Sequence, residues 1–314
     1  MQTFDLADIQ AARERIKDKV RRTPLLRNAT LSERLGTNVY LKIEIFQKTG
    51  SFKVRGAFNK ALLLSDAERA VGLVAVSGGN HAQAVAYVAR AMGTRAVILM
   101  PKNAPKTSMD ATRGYGAEVM VMETVHEAFA KVADYQKQGW TFVHPFDDVA
   151  VEAGQGTIGL EILEDLPEVT DVFASIGGGG MFGGVATAIK SLKPDVRMFG
   201  VETIGANAMQ LAFQAGHPVT IPAITSIAKT LGAPAASEGT YALAKRYAEE
   251  LIVVPDSEAM DAVRLILERA KILIEPAAGC NLAAAERVKD RFTPDSHVVL
   301  VICGGNFGLE DLCR

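Results

Sequence analysis

The amino-acid sequence predicts an α/β protein built on mainly parallel sheet with helices on both faces. Three observations carry this expectation. Short, continuously apolar, β-branched runs recur along the chain, segments of helical period lie between them, and glycine-rich turns directly follow three of the runs. Parallel strands buried on both faces read as unbroken apolar runs, and joining two of them takes a crossover, usually a helix.

Taken in order, the strand candidates are "NVYLKIEI" (38–45), "VGLVAVS" (71–77), "RAVILM" (95–100), "EVMVME" (118–123), "DVFASIG" (171–177), "RMFGVE" (197–202), "LIVVP" (251–255) and "HVVLVIC" (297–303). Helical period fits "HAQAVAYVARAMG" (81–93), "HEAFAKVADYQKQG" (126–139) and "LAAAERVKDRF" (282–292). Breakers in "PKNAPKTS" (101–108) and "HPFDD" (144–148) suggest that a subdomain closes near residue 146.

Composition narrows the function. The chain has 314 residues, 48% hydrophobic and 22% charged, with a formal net charge of −2. That predicts a soluble globular protein without the basic field that recruits nucleic acid or anionic lipid. No apolar run approaches the roughly 18 residues of a membrane helix. The N-terminal segment mixes acids and bases without an apolar core, so no signal peptide is expected. Cys280, Cys303 and Cys313 are sparse and lack CxxC spacing, which predicts neither a disulfide framework nor a zinc site and fits the cytoplasm.

Ligands of open parallel sheets sit beyond the carboxyl ends of the strands. Three turns stand there: "SGGN" (77–80), "GGGG" (177–180) and "CGGN" (303–306). Each brings bare backbone towards what is expected to be one shared ligand. "SIGGGGMFGG" (175–184) lies between a strand candidate and the helical "GVATAIKSL", so converging N–H groups and a helix N-terminus predict a phosphate site. Gly178, Gly180 and Gly183 also satisfy GxGxxG, with Glu202 ending the next strand candidate. An NAD-dependent dehydrogenase is therefore a competing reading, one that leaves "KTGSFKVRG" (48–56), "SGGNHAQ" and "CGGN" without roles.

Lys53 lies between Phe52 and Val54, with Lys48 and Arg55 close in sequence. Desolvation and nearby cations lower a lysine pKa and make a Schiff-base nucleophile. The alternative is an ordinary surface lysine. A lysine, a phosphate nest and separate polar turns for a ring are the parts of a pyridoxal phosphate site.

Eight motifs in order complete the picture: "TPL" (23–25), "KTGSFKVRGA" (48–57), "SGGNHAQ" (77–83), "HPFDD" (144–148), "AGQGT" (153–157), "GGGGM" (177–181), "IEPAAG" (274–279) and "CGGN" (303–306). On these, the chain resembles the fold-type II pyridoxal-phosphate enzymes, in the threonine/serine dehydratase and serine racemase branch. The resemblance implies a tryptophan synthase β-like fold: two three-layer, parallel-sheet domains with the cofactor between them. Residues 1–65 and 147–314 would form the large domain and 66–146 a small, mobile one. It implies that Lys53 carries the cofactor, Phe52 packs beside the ring, and Asn80 bonds its 3-hydroxyl. Gly177, Gly178, Gly179, Gly180 and Met181 would hold the phosphate, and Cys303 would face the pyridine nitrogen. Ser77, Gly78, Gly79 and His81, with Asn80, would receive the substrate carboxylate. The residues themselves leave Cys303 open as a small buried filler and His81 as a helix-start residue. Glu275 reads either as a cofactor-facing acid or as one satisfied by backbone donors. The implied activity is β-elimination from threonine or serine, giving a 2-oxo acid and ammonia, in a homo-oligomer (dimer or tetramer). A 3-hydroxyaspartate or phenylserine dehydratase and a serine racemase are the alternatives.

The pattern departs from its relatives in places. Racemases carry a serine where Gly78 stands and a polar amide where Phe146 stands, so elimination is favoured. Relatives that bind a divalent metal use an acid at Glu202 and another six residues on, where this chain has Ala208. Lys229 and Thr230 replace an acid and a glycine in a loop expected to border the substrate. The chain ends at Arg314, so the appended regulatory domain of biosynthetic threonine dehydratases is not expected.

Overall fold

The computed structural model describes residues 4–312; Cys313 lies outside them. The strands are β1 (Leu25–Arg27), β2 (Asn38–Ile43), β3 (Leu73–Val76), β4 (Ala96–Pro101), β5 (Glu118–Met122), β6 (Thr141–Phe142), β7 (Asp171–Ser175), β8 (Arg197–Thr203), β9 (Ala248–Val254) and β10 (His297–Ile302). The helices are α1 (Leu6–Ile16), α2 (Ala29–Leu35), α3 (Lys53–Leu62), α4 (Asp66–Val71), α5 (Asn80–Ala91), α6 (Lys106–Gly114), α7 (Val125–Lys137), α8 (Val149–Asp165), α9 (Gly180–Leu192), α10 (Ala208–Ala215), α11 (Glu238–Tyr247), α12 (Asp256–Ala270), α13 (Pro276–Arg287) and α14 (Leu309–Leu312).

The strands form two sheets. One has the order β1-β2-β10-β7-β8-β9 and is parallel apart from β1; the other, β5-β4-β3-β6, is parallel throughout. Strand β10 joins the two ends of the chain, lying between β2 and β7. Its residues Val298 to Ile302 are fully buried, as are Phe173 and Phe199, which stack at 4.5 Å between ring centroids. Each such side chain contributes about 1.5–3 kcal/mol by leaving water. This fixes the carboxyl ends of β2, β7 and β10 side by side, and their connections begin there. No described helix is long and apolar enough to cross a membrane.

Several boundaries differ from expectation, each for a local reason. The first strand candidate stops at Ile43 because Glu44–Phe46 turns into a 3-10 helix that directs Glu44 onto buried Arg55. The last predicted helix begins earlier, at Pro276, since proline at the first helical position costs no hydrogen bond. The helical part of 282–292 ends at Arg287, and Lys289–Arg291 is a 3-10 turn. Helix α8 was not legible as a helix because Gly154, Gly156 and Gly159 interrupt it. Those glycines allow close packing: a Cβ on Gly154 would lie 2.7 Å from the Gly56 Cα of α3, and one on Gly156 would lie 2.9 Å from the Gly184 carbonyl of α9. Helix α8 thereby clamps the helix that begins with Lys53 to the helix that begins at the glycine turn.

Candidate active site

Lys53 is the first residue of α3. The chain reaches it through two left-handed residues, Thr49 (φ 66°) and Gly50 (φ 72°). A side chain at Gly50 would fall 2.8 Å from Asn306 Oδ1, so glycine is required there for space as well as for conformation. The turn is then fastened to the segment after β10. Gly305 N donates to Gly50 O (3.0 Å), Phe52 N donates to Cys303 O (3.1 Å), and Asn306 Nδ2 donates to Thr49 O (2.8 Å).

The Lys53 ammonium donates to the Pro145 carbonyl at 2.7 Å and lies 5.1 Å from the centre of the Phe52 ring. Burial lowers its pKa to about 8, against the opposing pull of Cys303 and Glu275. The expected contribution of neighbouring cations is absent. Lys48 donates to the Lys19 carbonyl, and Arg55 is committed to Glu44 (2.8 Å) and Glu161 (2.7 Å). Desolvation by itself depresses the lysine.

The glycine turn has the form of an anion cradle. Among the described residues, the N–H groups of Gly177 to Phe182 donate to no acceptor, although all but the half-buried Gly177 are buried. A run of unmet buried donors at the start of a 13-residue helix fits a phosphate group. Side chains are excluded around it. A Cβ on Gly177 would lie 3.1 Å from the Leu231 carbonyl, on Gly178 2.1 Å from the Phe146 ring, on Gly179 2.6 Å from Thr240 Cβ, and on Gly180 2.8 Å from the Phe146 carbonyl. Met181 follows, buried. Pro145 and Phe146 thus join the lysine amine to the cradle.

The other two turns meet directly. Asn306 Nδ2 donates to Asn80 Oδ1 (2.7 Å), while Asn80 Nδ2 lies 3.0 Å from both carboxylate oxygens of buried Glu275. Thr230 donates its hydroxyl to Glu275 Oε1 (3.0 Å), and its Cγ2 lies 3.6 Å from where a Cβ on Gly79 would be. The 3-10 turn Lys229–Leu231 therefore spans from the Ser77–Asn80 loop to Gly177, with Lys229 exposed. Burial raises the pKa of Glu275, and burial with Glu275 nearby raises that of Cys303 well above the usual thiol value. Cys303 is a neutral thiol.

Other candidate residues are placed differently. Ser77 Oγ accepts from Gly79 N at 3.1 Å and shapes the loop. A Cβ on Gly78 would stand 3.1 Å from the Ala104 Cβ. The His81 ring is buried with Nε2 2.8 Å from the Val143 carbonyl, and burial together with the Lys53 charge lowers its pKa to about 3. Its nitrogen Nδ1 is buried without a partner. Glu202 is separate from this cluster: its two oxygens accept from Met209 N (2.9 Å) and Gln210 N (2.8 Å) at the start of α10. Both oxygens that a metal or a ribose would use are thus already hydrogen-bonded to the backbone. No cluster of three acidic, histidine or cysteine side chains suited to a metal exists among the described residues. Thr230 belongs to the loop expected to border the substrate, whereas Asn306 and Pro145 were not singled out from the sequence. Asn306 is the terminal residue of "CGGN", which was its only signal.

Comparison with known proteins follows the same lines. A family model described as pyridoxal-phosphate dependent enzyme matches residues 16–304. L-threonine ammonia-lyase of Thermotoga maritima is 41% identical over 313 residues, covering 98% of this chain and 77% of the relative. Maize serine racemase superposes with a TM-score of 0.94 at 32% identity, over 99% of this chain and 96% of that one. Serine racemase from Dictyostelium discoideum does so with a TM-score of 0.91 at 34% identity, over 98% and 100%.

Proposed function

The chain belongs to the pyridoxal-phosphate dependent enzymes, and from that premise we propose that it is an ammonia-lyase that converts L-threonine or L-serine to a 2-oxo acid and ammonia. The observation that carries the reading is a half-buried lysine with a pKa near 8, joined through Pro145–Phe146 to a row of unmet backbone donors.

When bound, pyridoxal phosphate supplies a conjugated ring that draws electrons from the substrate Cα. The chain's own residues do the rest. The N–H groups of Gly177 to Met181 hold the phosphate dianion with the help of the α9 N-terminus. Phe52 flanks the lysine. Asn80, oriented by Glu275 on one side and Asn306 on the other, would hydrogen-bond the ring's 3-hydroxyl. Cys303 would stand by the pyridine nitrogen, where a neutral thiol, a weak donor, would hold no proton as a carboxylate would. The electron withdrawal that the ring supplies would thereby be moderated, which would favour elimination over transamination. Lys53, as the free amine, would take the Cα proton from within hydrogen-bond reach. Ser77, Gly78, Gly79 and Asn80 receive the substrate carboxylate, and Thr230 walls the pocket beside Gly79. Residues 66–146 act as the smaller unit that closes over this cleft.

A serine at position 78 would supply a second acid/base on the opposite face. Gly78 supplies none, so racemisation is slow relative to elimination. The test is borohydride reduction of the purified yellow protein with peptide mapping, alongside a panel of L-threonine, L-serine, 3-hydroxyaspartate and phenylserine. Label on Lys53 and ammonia from threonine or serine are expected. Label on another lysine removes the site assignment, and no ammonia from any of the four removes the activity. Lys53→Ala abolishes elimination but retains cofactor through the cradle; full activity in that variant contradicts its role as base.

A further inference from the structure

His144 opens the turn whose next residue touches the reactive amine. Its Nδ1 accepts from two backbone donors, Phe146 N (3.3 Å) and Asp147 N (2.7 Å), so that nitrogen carries no proton. The imidazole is caged by rings: Phe146 at 4.7 Å, Phe142 at 5.3 Å and Phe129 at 5.8 Å between centroids. Burial and the Lys53 charge push its pKa down to about 4, with Asp147 and Asp148 pulling the other way. The ring remains an acceptor throughout the neutral range. Within the turn that it closes, the Pro145 carbonyl lies 2.7 Å from Lys53 Nζ, and the Phe146 ring lies against Gly178.

A neutral lysine amine has two N–H bonds and one lone pair. Tying one N–H to a fixed carbonyl leaves the lone pair little freedom of direction. From this we propose that His144 is a positioning residue: it shapes the turn that holds the Pro145 carbonyl against the Lys53 amine and so aims that amine during proton transfer. The carbonyl also favours the ammonium form, because a hydrogen bond to the charged state stabilises it. The inference rests on the assignment of Lys53 as the cofactor lysine.

Two substitutions separate the acceptor from the packing. His144→Asn keeps an acceptor oxygen that can bond the same downstream N–H groups, as in an Asx turn, but deletes the ring. His144→Phe keeps the ring stack and deletes the acceptor. The variants are compared by kcat and KM for threonine or serine. They are also compared by the pH dependence with which the full-length chain, stripped of cofactor, captures added pyridoxal phosphate. We expect His144→Phe to lose about tenfold in kcat with KM little changed, and its capture profile to move about one unit lower. We expect His144→Asn to stay within about threefold of the parent, since it restores the same contact, even if its melting temperature falls. The reverse order, or equal behaviour of the two, makes His144 a packing residue and overturns the inference. If His144→Phe does not fold, His144→Asn decides: retained kcat with an unmoved capture profile supports the inference, and their loss overturns it. Borohydride mapping of each variant is the separate control; label away from Lys53 refutes the site assignment itself.

Discussion

Gly178 and Gly180 both lie against Phe146, but against different parts of it, and this makes the cradle testable. A Cβ on Gly178 would lie 2.1 Å from Cδ1 of the phenyl ring. Carbon atoms rest at about 3.5–4.0 Å, so Gly178→Ala forces the ring to swing away by well over an ångström. A Cβ on Gly180 would instead meet the Phe146 carbonyl oxygen at 2.8 Å and its Cα at 2.9 Å, which are backbone. Overpacking of this kind costs about 1–3 kcal/mol. With an unfolding entropy of about 2.1 cal/mol/K per residue over 314 residues, that corresponds to a fall in Tm of about 2–5 °C. Cofactor affinity should fall about ten- to a hundredfold, as one or two phosphate contacts are displaced. The second change is decisive. Phe146→Ala removes the ring but leaves the main chain, so it should relieve Gly178→Ala and leave Gly180→Ala unrelieved. Thermal unfolding and cofactor titration of both double-mutant cycles measure this. Equal coupling in the two cycles, or parental cofactor affinity in Gly178→Ala, would refute the cradle geometry.

Three further outcomes are expected. In the proposed reaction Lys53 is a base only when unprotonated, and its pKa is lowered to about 8; kcat should therefore rise with pH and reach half its plateau near 8, whereas a midpoint near 10 in the pH–rate profile would mean an exposed lysine. Arg55 is fully buried between Glu44 and Glu161, while Lys42 bonds only Glu161 (2.6 Å) and the Thr23 carbonyl. Arg55→Met should cost about 3–5 kcal/mol, because it leaves buried charge uncompensated; an unfolding free energy from urea titration within about 1 kcal/mol of the parent's would show that the network is dispensable. Glu152 is buried, its Oε2 has no partner, and burial raises its pKa to about 8. From its unfolded value near 4.5 up to about 8 the folded state holds the extra proton, so its contribution to stability falls as pH rises through that window; Glu152→Gln should flatten the pH dependence of Tm there, and an unchanged slope would count against the shift.

Much of the sheet was legible because buried parallel strands need unbroken apolar runs, and "HVVLVIC" or "DVFASIG" can be little else. The strand ends were legible for the same reason, which is why "SGGN", "GGGG" and "CGGN" could be expected to lie near one another before any contact was known. What could not be read was pairing between remote polar groups. Asn80 and Glu275 are 195 positions apart, and Asn80 and Asn306 226; nothing local in either stretch names its partner. Helix α8 was hidden by glycines whose value lies in the helices they touch, Gly56 in α3 and Gly184 in α9. Arg55 was misjudged because proximity in sequence says nothing of direction. Two residues after Lys53 on a helix is nearly the opposite face, and there it meets Glu44 and Glu161 instead.

The charge states around the lysine are mutually dependent. Glu275 favours the ammonium form of Lys53, and Lys53 favours the carboxylate form of Glu275, yet burial drives both towards neutrality. Such a pair titrates jointly. Cys303, a third buried group beside them, is held as the thiol by burial and by Glu275. A carboxylate in its place would put a permanent negative charge near Nζ, favour the ammonium, and take the base away from the neutral range. The neutral thiol and the low lysine pKa are then two consequences of one condition, burial that no full ion pair offsets, in contrast to Arg55, which Glu44 and Glu161 neutralise.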